Sequence, residues 1–288
     1  APRRTPGSML TLDERARSGL CPPMSITLKD VRKSFGTDPA VAGVSLDIAP
    51  GEFFGLAGES GCGKSTIAFA VSRLHRPPAL IRTGSQIQVD GRNVLDLSEE
   101  ELRRFRWSEV AMVFQSAMNS LNPVLTIETQ FYDVLKAHTR ISRAQARERA
   151  TELLKLVDIA PERLDSYPHQ CSGGMRQRIV IAICLALNPK LLIMDEPTTA
   201  LDVVVQREIL QRIEILRHQL GFSVLFITHD LGLMVQVSDR IGIMLEGELV
   251  EVNDAQSIYK NPQHDYTKRL WASMPKLYGK QAAREDAQ

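Results

Sequence analysis

A glycine-rich octapeptide has the residue types and the spacing that suit phosphate binding. Residues 58–65 read Gly-Glu-Ser-Gly-Cys-Gly-Lys-Ser and fit the spacing G-x-x-x-x-G-K-[ST]. Glycines let successive backbone amides converge on an anion without Cβ clashes. Lys64 can reach the β- and γ-phosphates of a nucleotide, and Ser65 can offer its hydroxyl to Mg²⁺. The spacing predicts a triphosphate site here, with a chance glycine-rich turn as the alternative.

The segments beside this loop predict the strand–loop–helix order that such a site requires. The segment 52–57 is short and mostly apolar, as in a buried strand, and the segment 66–74 is typical of a helix. The N-terminus of that helix adds partial positive charge at the loop. The predicted phosphate-contacting residues are Gly58, Glu59, Ser60, Gly61, Cys62, Gly63, Lys64, Ser65 and Thr66.

Two adjacent acids follow a second apolar segment. Residues 191–194 are Leu-Leu-Ile-Met and lead directly into Asp195 and Glu196. This pattern predicts a buried strand that delivers carboxylates at its C-terminal end, where sites in open α/β sheets lie. Asp195 is predicted to hold Mg²⁺ through water, and Glu196 to polarise an attacking water. The alternative is an acidic strand end that caps a neighbouring helix.

Three further candidates have weaker patterns. His229 follows the apolar segment 224–227 and would face the same crevice, with a purely structural histidine as the alternative. Residues 172–174 are Ser-Gly-Gly and run into the apolar segment 179–187, which predicts a second anion-binding helix N-terminus or else a linker turn. Phe35 lies between two predicted strands, where its ring either stacks on a purine or packs in the core or in a turn.

The remaining patterns predict the elements that position these residues. Alternating or apolar segments predict strands at 26–31, 44–48, 86–89, 110–114, 241–245 and 248–252. The strands on both sides of the glycine loop predict an antiparallel sheet beside it. Ser98 begins a predicted helix, and Ser142 caps another at 143–157. The helical pattern between 116 and 168 predicts a lobe inserted between the two halves of the site.

The domain organisation follows from these boundaries. We expect a flexible N-terminal arm, or a segment foreign to the native protein, at 1–24 and one catalytic domain at 25–277. Within it, a helical subdomain is expected at about 116–170, and the tail 278–288 is expected to fray.

Composition narrows the classes of function. With 35 basic and 34 acidic residues among 288, the chain has no broad electrostatic attraction to nucleic acid or anionic lipid. No apolar run approaches the roughly 20 residues that span a bilayer, and Arg3 and Arg4 precede no apolar stretch of a secretory signal. The unpaired spacing of Cys21, Cys62, Cys171 and Cys184 predicts reduced thiols in a cytoplasmic protein.

Taken together, the chain from about Ile26 to Leu277 resembles the ATP-binding subunit of an ATP-binding-cassette (ABC) transporter. The motifs that carry the resemblance, in the family's order and spacing, are the loop 58–65, Gln115, Ser172-Gly173-Gly174, Asp195-Glu196 and His229. The resemblance implies an α/β P-loop NTPase (RecA-like) core with an antiparallel β subdomain and an inserted α-helical subdomain. It also implies ATP and Mg²⁺ as cofactors, and ATP hydrolysis by in-line attack of water.

The same resemblance implies a composite site. Two subunits would pair head to tail and hold ATP between the loop of one and Ser172, Gly173, Gly174 and Met175 of the other. It assigns adenine stacking to Phe35, sensing of Mg²⁺ and γ-phosphate to Gln115, contact between the copies to Ala200-Leu201-Asp202, and a switch role to His229.

Three segments are most similar to those of peptide importers, a branch shared with nickel-type importers. They are Phe114-Gln115 with Asn119–Pro123, Gly173–Arg178 and His264–Thr267. The likeness implies transmembrane permease subunits as partners, a short permease helix received near 115–123, and a second ATPase subunit of the same or a related chain. It further implies an extracytoplasmic solute-binding protein, no nucleic acid, and a place on the cytoplasmic face of the membrane.

Two departures and two alternatives accompany this interpretation. Cys171 stands where the family has a larger apolar residue, with little expected loss because the backbone contacts the phosphate. No cysteine follows Cys184, so the iron–sulfur centre of many peptide-importer subunits is not expected.

The alternatives are an ABC-type ATPase that clamps nucleic acid, which the near-neutral charge disfavours, and a subunit of a non-transport assembly such as those with phosphonate-degrading enzymes.

Overall fold

The computed structural model describes residues 25–35, 38–75, 78–115, 119–198 and 201–273. The expected arm at 1–24 and the expected frayed tail at 278–288 lie outside the described residues, as does Ala200. The strands are β1 Ile26–Phe35, β2 Asp38–Ile48, β3 Phe53–Gly58, β4 Ala79–Ile81, β5 Gln86–Val89, β6 Arg92–Asn93, β7 Val110–Val113, β8 Leu191–Asp195, β9 Ser223–Ile227, β10 Arg240–Leu245 and β11 Glu248–Asp254.

Helices connect several of these strands. They are α1 Lys64–Val71, α2 Glu99–Ser108, α3 Ile127–His138, α4 Arg143–Leu156, α5 Gly173–Cys184, α6 Val203–Leu220, α7 Leu231–Val237, α8 Ala255–Lys260 and α9 Asp265–Ala272. Short 3₁₀ turns lie at Val94–Asp96, Pro161–Asp165 and Pro168–Gln170. No helix among the described residues is long and apolar enough to cross a membrane.

The strands form two sheets. The larger sheet has the order β11-β10-β3-β9-β8-β7, and all its pairs are parallel except β10–β11. The smaller sheet has the order β2-β1-β5-β6, with β4 also paired to β1, and is antiparallel. The predicted α/β core with an antiparallel β subdomain is therefore confirmed.

The larger sheet separates two hydrophobic cores, because successive side chains of a strand point to opposite faces. In β3, Phe53 and Ala57 belong to one core, and Phe54 and Leu56 to the other. The first core continues into the helices α3 to α7, and the second lies between the two sheets. Burial on both faces explains why the predicted strands at the site are continuously apolar.

The helical lobe packs on the first core. Ile127, Phe131 and Leu135 recur every fourth residue of α3 and are fully buried. Ser142 caps α4 by accepting from the backbone N–H of Gln145, as predicted. The helical pattern predicted across 116–168 is nevertheless wrong for residues 120–126, which hold turns and bends rather than helix.

Two predicted boundaries are wrong for identifiable reasons. The helix after the glycine loop begins at Lys64, not at 66, because Gly63 already serves as its N-cap. β1 runs to Phe35, well beyond the predicted end at residue 31, since register shifts on both sides of Val31 break the strict alternation. Phe35 therefore ends a strand and does not lie in a turn.

Candidate active site

The glycine loop joins β3 to α1 at the carboxyl edge of the larger sheet. Gly58 has φ 147°, and a Cβ there would lie 2.3 Å from the carbonyl oxygen of Met244 in β10. Gly63 has φ 105°, and a Cβ there would lie 2.4 Å from the carbonyl oxygen of Ala40 in β2. Glycine is required at both positions because neighbouring backbone approaches the loop so closely.

Lys64 lies folded over the loop that precedes it. Its Nζ donates to the carbonyl oxygens of Gly58 at 2.8 Å and Glu59 at 2.7 Å, and the side chain is largely buried. The loop thus holds a positive charge at its own centre, beside the N-terminus of α1. An anion that enters the loop can replace these carbonyls as the partner of the ammonium group.

Ser65 and Asp195 meet across the sheet. The Ser65 hydroxyl donates to Asp195 Oδ1 at 3.0 Å. Burial raises the pKa of Asp195, while this hydrogen bond and, less strongly, the Lys64 charge lower it. A carboxylate and a hydroxyl are the hard oxygen donors that suit Mg²⁺. The described residues contain no group of three or more histidines, cysteines, aspartates or glutamates placed to hold a metal.

Gln115, Glu196 and His229 converge at the same edge. Gln115 Nε2 donates to Glu196 Oε2 at 3.1 Å, and His229 Nδ1 lies 3.5 Å from Glu196 Oε1. Glu196 has φ 46°, a left-handed conformation that costs a non-glycine residue about 1–2 kcal/mol. Its backbone N–H donates to the carbonyl oxygen of Ile227 in β9 at 2.9 Å, which holds the carboxylate at the end of β8. This group can orient and polarise a water molecule.

Phe35 is about half exposed at the end of β1 and offers a ring face beside the site. Lys33, which the sequence analysis missed, lies next to it and is only 1% exposed. Its Nζ is 5.7 Å from the centroid of the Phe35 ring and 3.4 Å from the carbonyl oxygen of Thr66. Burial lowers the pKa of Lys33 to about 8. Lys33 lies beyond the predicted end of the strand at residue 31, so the sequence offered no signal for its inward orientation.

The Ser-Gly-Gly segment begins α5, so the linker-turn alternative is wrong. Ser172 is the N-cap, and its hydroxyl accepts from the backbone N–H of Met175 at 3.3 Å. Asp202 caps α6 by accepting from the backbone N–H of Val205 at 3.0 Å. Together these two helix starts line a cavity of about 530 Å³.

That cavity is separate from the glycine loop within one chain. Its lining residues are Ser172, Gly173, Gly174, Met175, Arg178, Leu201, Asp202 and Val205. None of residues 58–66 is among them. The structure thus brings the loop, Asp195, Gln115, Glu196 and His229 to one edge, but it leaves the Ser-Gly-Gly segment apart from them.

A second missed residue contacts the loop from the C-terminal part of the chain. Tyr266, in α9, accepts a hydrogen bond from the backbone N–H of Glu59 at 3.2 Å. The sequence placed Tyr266 only within the segment 264–267 and gave no sign of this contact. A contact across more than two hundred positions leaves no periodic pattern in the sequence.

The described cysteines are buried free thiols. They are Cys62, Cys171 and Cys184. Burial raises the pKa of Cys184 to about 12, and burial also raises the pKa of Cys171. The thiols of Cys171 and Cys184 are therefore protonated and unreactive. Cys21 lies outside the described residues.

Comparisons with known proteins agree with this geometry. The family model described as "ABC transporter" matches residues 41–199. The chain is 46% identical to the peptidoglycan transport ATP-binding protein YejF of Agrobacterium fabrum over 87% of its own length, but it spans only 47% of that protein. It is 44% identical to the oligopeptide transport ATP-binding protein OppD of Bacillus subtilis, covering 88% of this chain and 72% of OppD.

A solved structure has the same fold. It is the dimeric structure of a post-hydrolysis state of the ATP-binding cassette MJ0796 bound to ADP and Pi. The match has a TM-score of 0.69 and 32% identity, and it covers 80% of this chain and 98% of that one.

Proposed function

Because the chain belongs to the ABC transporter family, we propose that it is the ATP-hydrolysing subunit that powers a membrane importer of peptides. The observation that carries the proposal is the meeting of Gln115 and His229 on the Glu196 carboxylate, beside the Ser65–Asp195 pair. The names of the relatives support the cargo, since they include oligopeptide and dipeptide transport ATP-binding proteins at 44% identity.

The loop binds the triphosphate of ATP in this proposal. Backbone amides between Gly58 and Thr66 surround the β- and γ-phosphates, and Lys64 exchanges its loop carbonyls for phosphate oxygens. Phe35 stacks on the adenine, a role that its half-exposed ring at the end of β1 supports. Both sheets therefore contribute to nucleotide binding, the larger through the loop after β3 and the smaller through the end of β1.

Hydrolysis requires a positioned water. Ser65 and Asp195 would hold Mg²⁺, which neutralises charge on the phosphates when it is bound. Glu196 accepts a hydrogen bond from the attacking water and polarises it toward the γ-phosphate. Gln115 and His229 hold the Glu196 carboxylate through its two oxygens. Lys64 stabilises the negative charge that develops on the transferring group.

A second ATPase subunit completes the nucleotide-binding site. We assign Ser172–Met175 and Asp202 to the nucleotide bound by the loop of a second ATPase subunit, either the same or a related chain. Support comes from the cavity at these residues, which no residue of the loop of its own chain lines, and from the dimeric solved structure. Closure of two subunits around ATP and opening after hydrolysis would move the membrane partner.

The membrane partners are permease subunits, with an extracytoplasmic solute-binding protein acting through them, and the chain lies on the cytoplasmic face. We propose that a short permease helix docks near 115–123, of which 116–118 lie outside the described residues. The exposed side chains of Phe114 and Val124 flank this surface. The proposed catalytic domain spans 25–277, with its helical subdomain at about 116–170.

Purification of the tagged chain from detergent-solubilised native membranes tests this function. We expect transmembrane permease subunits to co-purify, and ATP turnover of the complex to rise with added peptides and solute-binding protein. Recovery of nucleic acid or of a soluble enzyme complex instead would contradict the transport function.

A further inference from the structure

We propose that Tyr266 is a positioning residue for ATP binding, which holds the entry of the phosphate-binding loop in its binding conformation; this inference rests on the proposed function. The hydroxyl oxygen of Tyr266 accepts the backbone N–H of Glu59 at 3.2 Å. Glu59 is the second residue of the loop, directly after the end of β3.

The same loop residue also contacts Lys64 through its carbonyl group. The carbonyl oxygen of Glu59 accepts from Lys64 Nζ at 2.7 Å. Tyr266 and Lys64 thus hold the two sides of one loop residue. When Lys64 leaves that carbonyl for a phosphate, the contact with Tyr266 remains to keep the loop entry in place.

The rest of the loop is anchored independently of Tyr266. The carbonyl oxygen of Cys62 accepts from the backbone N–H of Gly247, in the β10–β11 turn, at 3.1 Å. The backbone N–H of Ile67, in the first turn of α1, donates to the carbonyl of Gly63 at 3.0 Å. The Tyr266 hydrogen bond therefore acts on the entry of the loop, while the sheet turn and the helix fix its second half.

A pocket adjoins the loop entry. Its volume is about 410 Å³, and it is lined by Glu59, Leu245, Tyr266, Arg269, Leu270 and Ser273. Because this space beside Glu59 is open, fewer dispersion contacts hold the loop entry than in a close-packed core. The hydrogen bond that the backbone N–H of Glu59 donates to Tyr266 joins α9 to the loop.

Helix α9 is itself docked firmly enough to serve as a support. The Glu251 carboxylate in β11 accepts from the backbone N–H of Gln263 at 2.8 Å and of His264 at 2.9 Å. Tyr266 is 5% exposed, and burial raises its pKa, so its hydroxyl stays protonated and neutral. The tyrosine thus connects a fixed sheet strand to the loop.

Tyr266→Phe tests the inference because it removes the hydroxyl and keeps the ring. A loop that samples other conformations binds ATP only in the competent fraction, so the apparent affinity falls by that fraction. Loss of one neutral hydrogen bond corresponds to about a threefold to tenfold rise in Kd and in KM for ATP. We expect kcat to stay within about twofold of wild type, because the water-positioning group is untouched.

Two other variants complete the design. Tyr259→Phe is the matched control, since Tyr259 is half exposed in α8 and contacts the edge of Trp271 rather than the loop. Lys64→Ala reports on the proposed function, because it should abolish ATP binding. A purely structural role for Tyr266 would lower Tm but leave KM for ATP unchanged.

The outcomes separate the two proposals. A raised KM with retained kcat in Tyr266→Phe, and wild-type values in Tyr259→Phe, is the expected result. A KM for ATP within about twofold of wild type in Tyr266→Phe, while Lys64→Ala loses ATP binding, overturns only the role of Tyr266. Unchanged ATP affinity in Lys64→Ala overturns the proposed function itself.

Discussion

The side-chain amide of Gln115 donates a 3.1 Å hydrogen bond to the Glu196 carboxylate, although the two residues lie 81 positions apart. β7 and β8 pair in parallel, so their carboxyl ends place these side chains next to each other. β9 is the next strand, and His229 beyond its end reaches the other oxygen of the same carboxylate. The proposed hydrolytic group is therefore assembled by three neighbouring strands of one sheet.

Glu196→Gln should stop hydrolysis and preserve ATP binding. The amide keeps the size of the side chain but cannot act as a base, so we expect kcat to fall by about 10²–10⁴-fold. Because the nucleotide then stays bound, the variant should accumulate as a dimer in ATP and Mg²⁺. Light scattering after size exclusion gives the mass, and a persistent monomer would count against a shared site.

Ser65→Ala should weaken ATP binding only when Mg²⁺ is present. The Ser65 hydroxyl contacts Asp195 and not the loop carbonyls, so its removal leaves the loop's own bonds to Lys64 intact. We expect about a tenfold rise in the Kd for MgATP and little change in excess chelator. Calorimetry with and without Mg²⁺ measures both values, and Ser65→Thr, which keeps a hydroxyl, is the matched control. An equal loss in both conditions would show that Ser65 does not act through the cation.

The sequence alone predicts most of this site because each motif ends a strand or begins a helix. The glycine loop, Asp195 and Glu196 follow short apolar segments that predict buried strands, and parallel strands align their carboxyl ends. The separation of Ser172 from the loop could also be expected, though only through the family resemblance.

Other features depend on contacts that leave no local pattern. The contact of Tyr266 with Glu59 joins residues 207 positions apart. The extension of β1 to Phe35 was hidden by the register shifts near Val31. Lys33 lies beyond the predicted strand 26–31, and the pairing of β1 with β2 and β4 encloses it. Tertiary contacts, and not residue type, determine where these side chains lie in the fold.

Lys33 should make stability depend on pH in the alkaline range. Its pKa falls from 10.5 in the unfolded chain to about 8 in the folded one, so the unfolded chain binds more protons between these values. The free energy of unfolding therefore rises with pH through this window. The stability that depends on Lys33 is fully present above pH 10.5 and is lost as the pH falls toward 8.

Lys33→Met should remove this dependence. The difference in unfolding free energy between wild type and variant should grow in favour of wild type as the pH rises through that window, as measured in urea. His75 lies near Lys33, but burial and then the Lys33 charge lower its pKa below 6.5, so it titrates outside the window. A difference that stays constant with pH would show that Lys33 is not desolvated.

The central claim is that one chain supplies the phosphate loop and its partner supplies the Ser-Gly-Gly segment. Lys64→Ala removes the loop half of the shared site, and Ser172→Arg removes the Ser-Gly-Gly half. A dimer of either variant alone should therefore be inactive. In an equimolar mixture, a mixed dimer has one site in which both halves are intact and one in which both are altered.

Measuring the ATP turnover of that mixture tests the claim most directly. We predict recovery to about a quarter of the wild-type rate, since random pairing makes half of the dimers mixed and each has one complete site of two. A mixture no more active than the sum of the two separate variants would contradict the shared site.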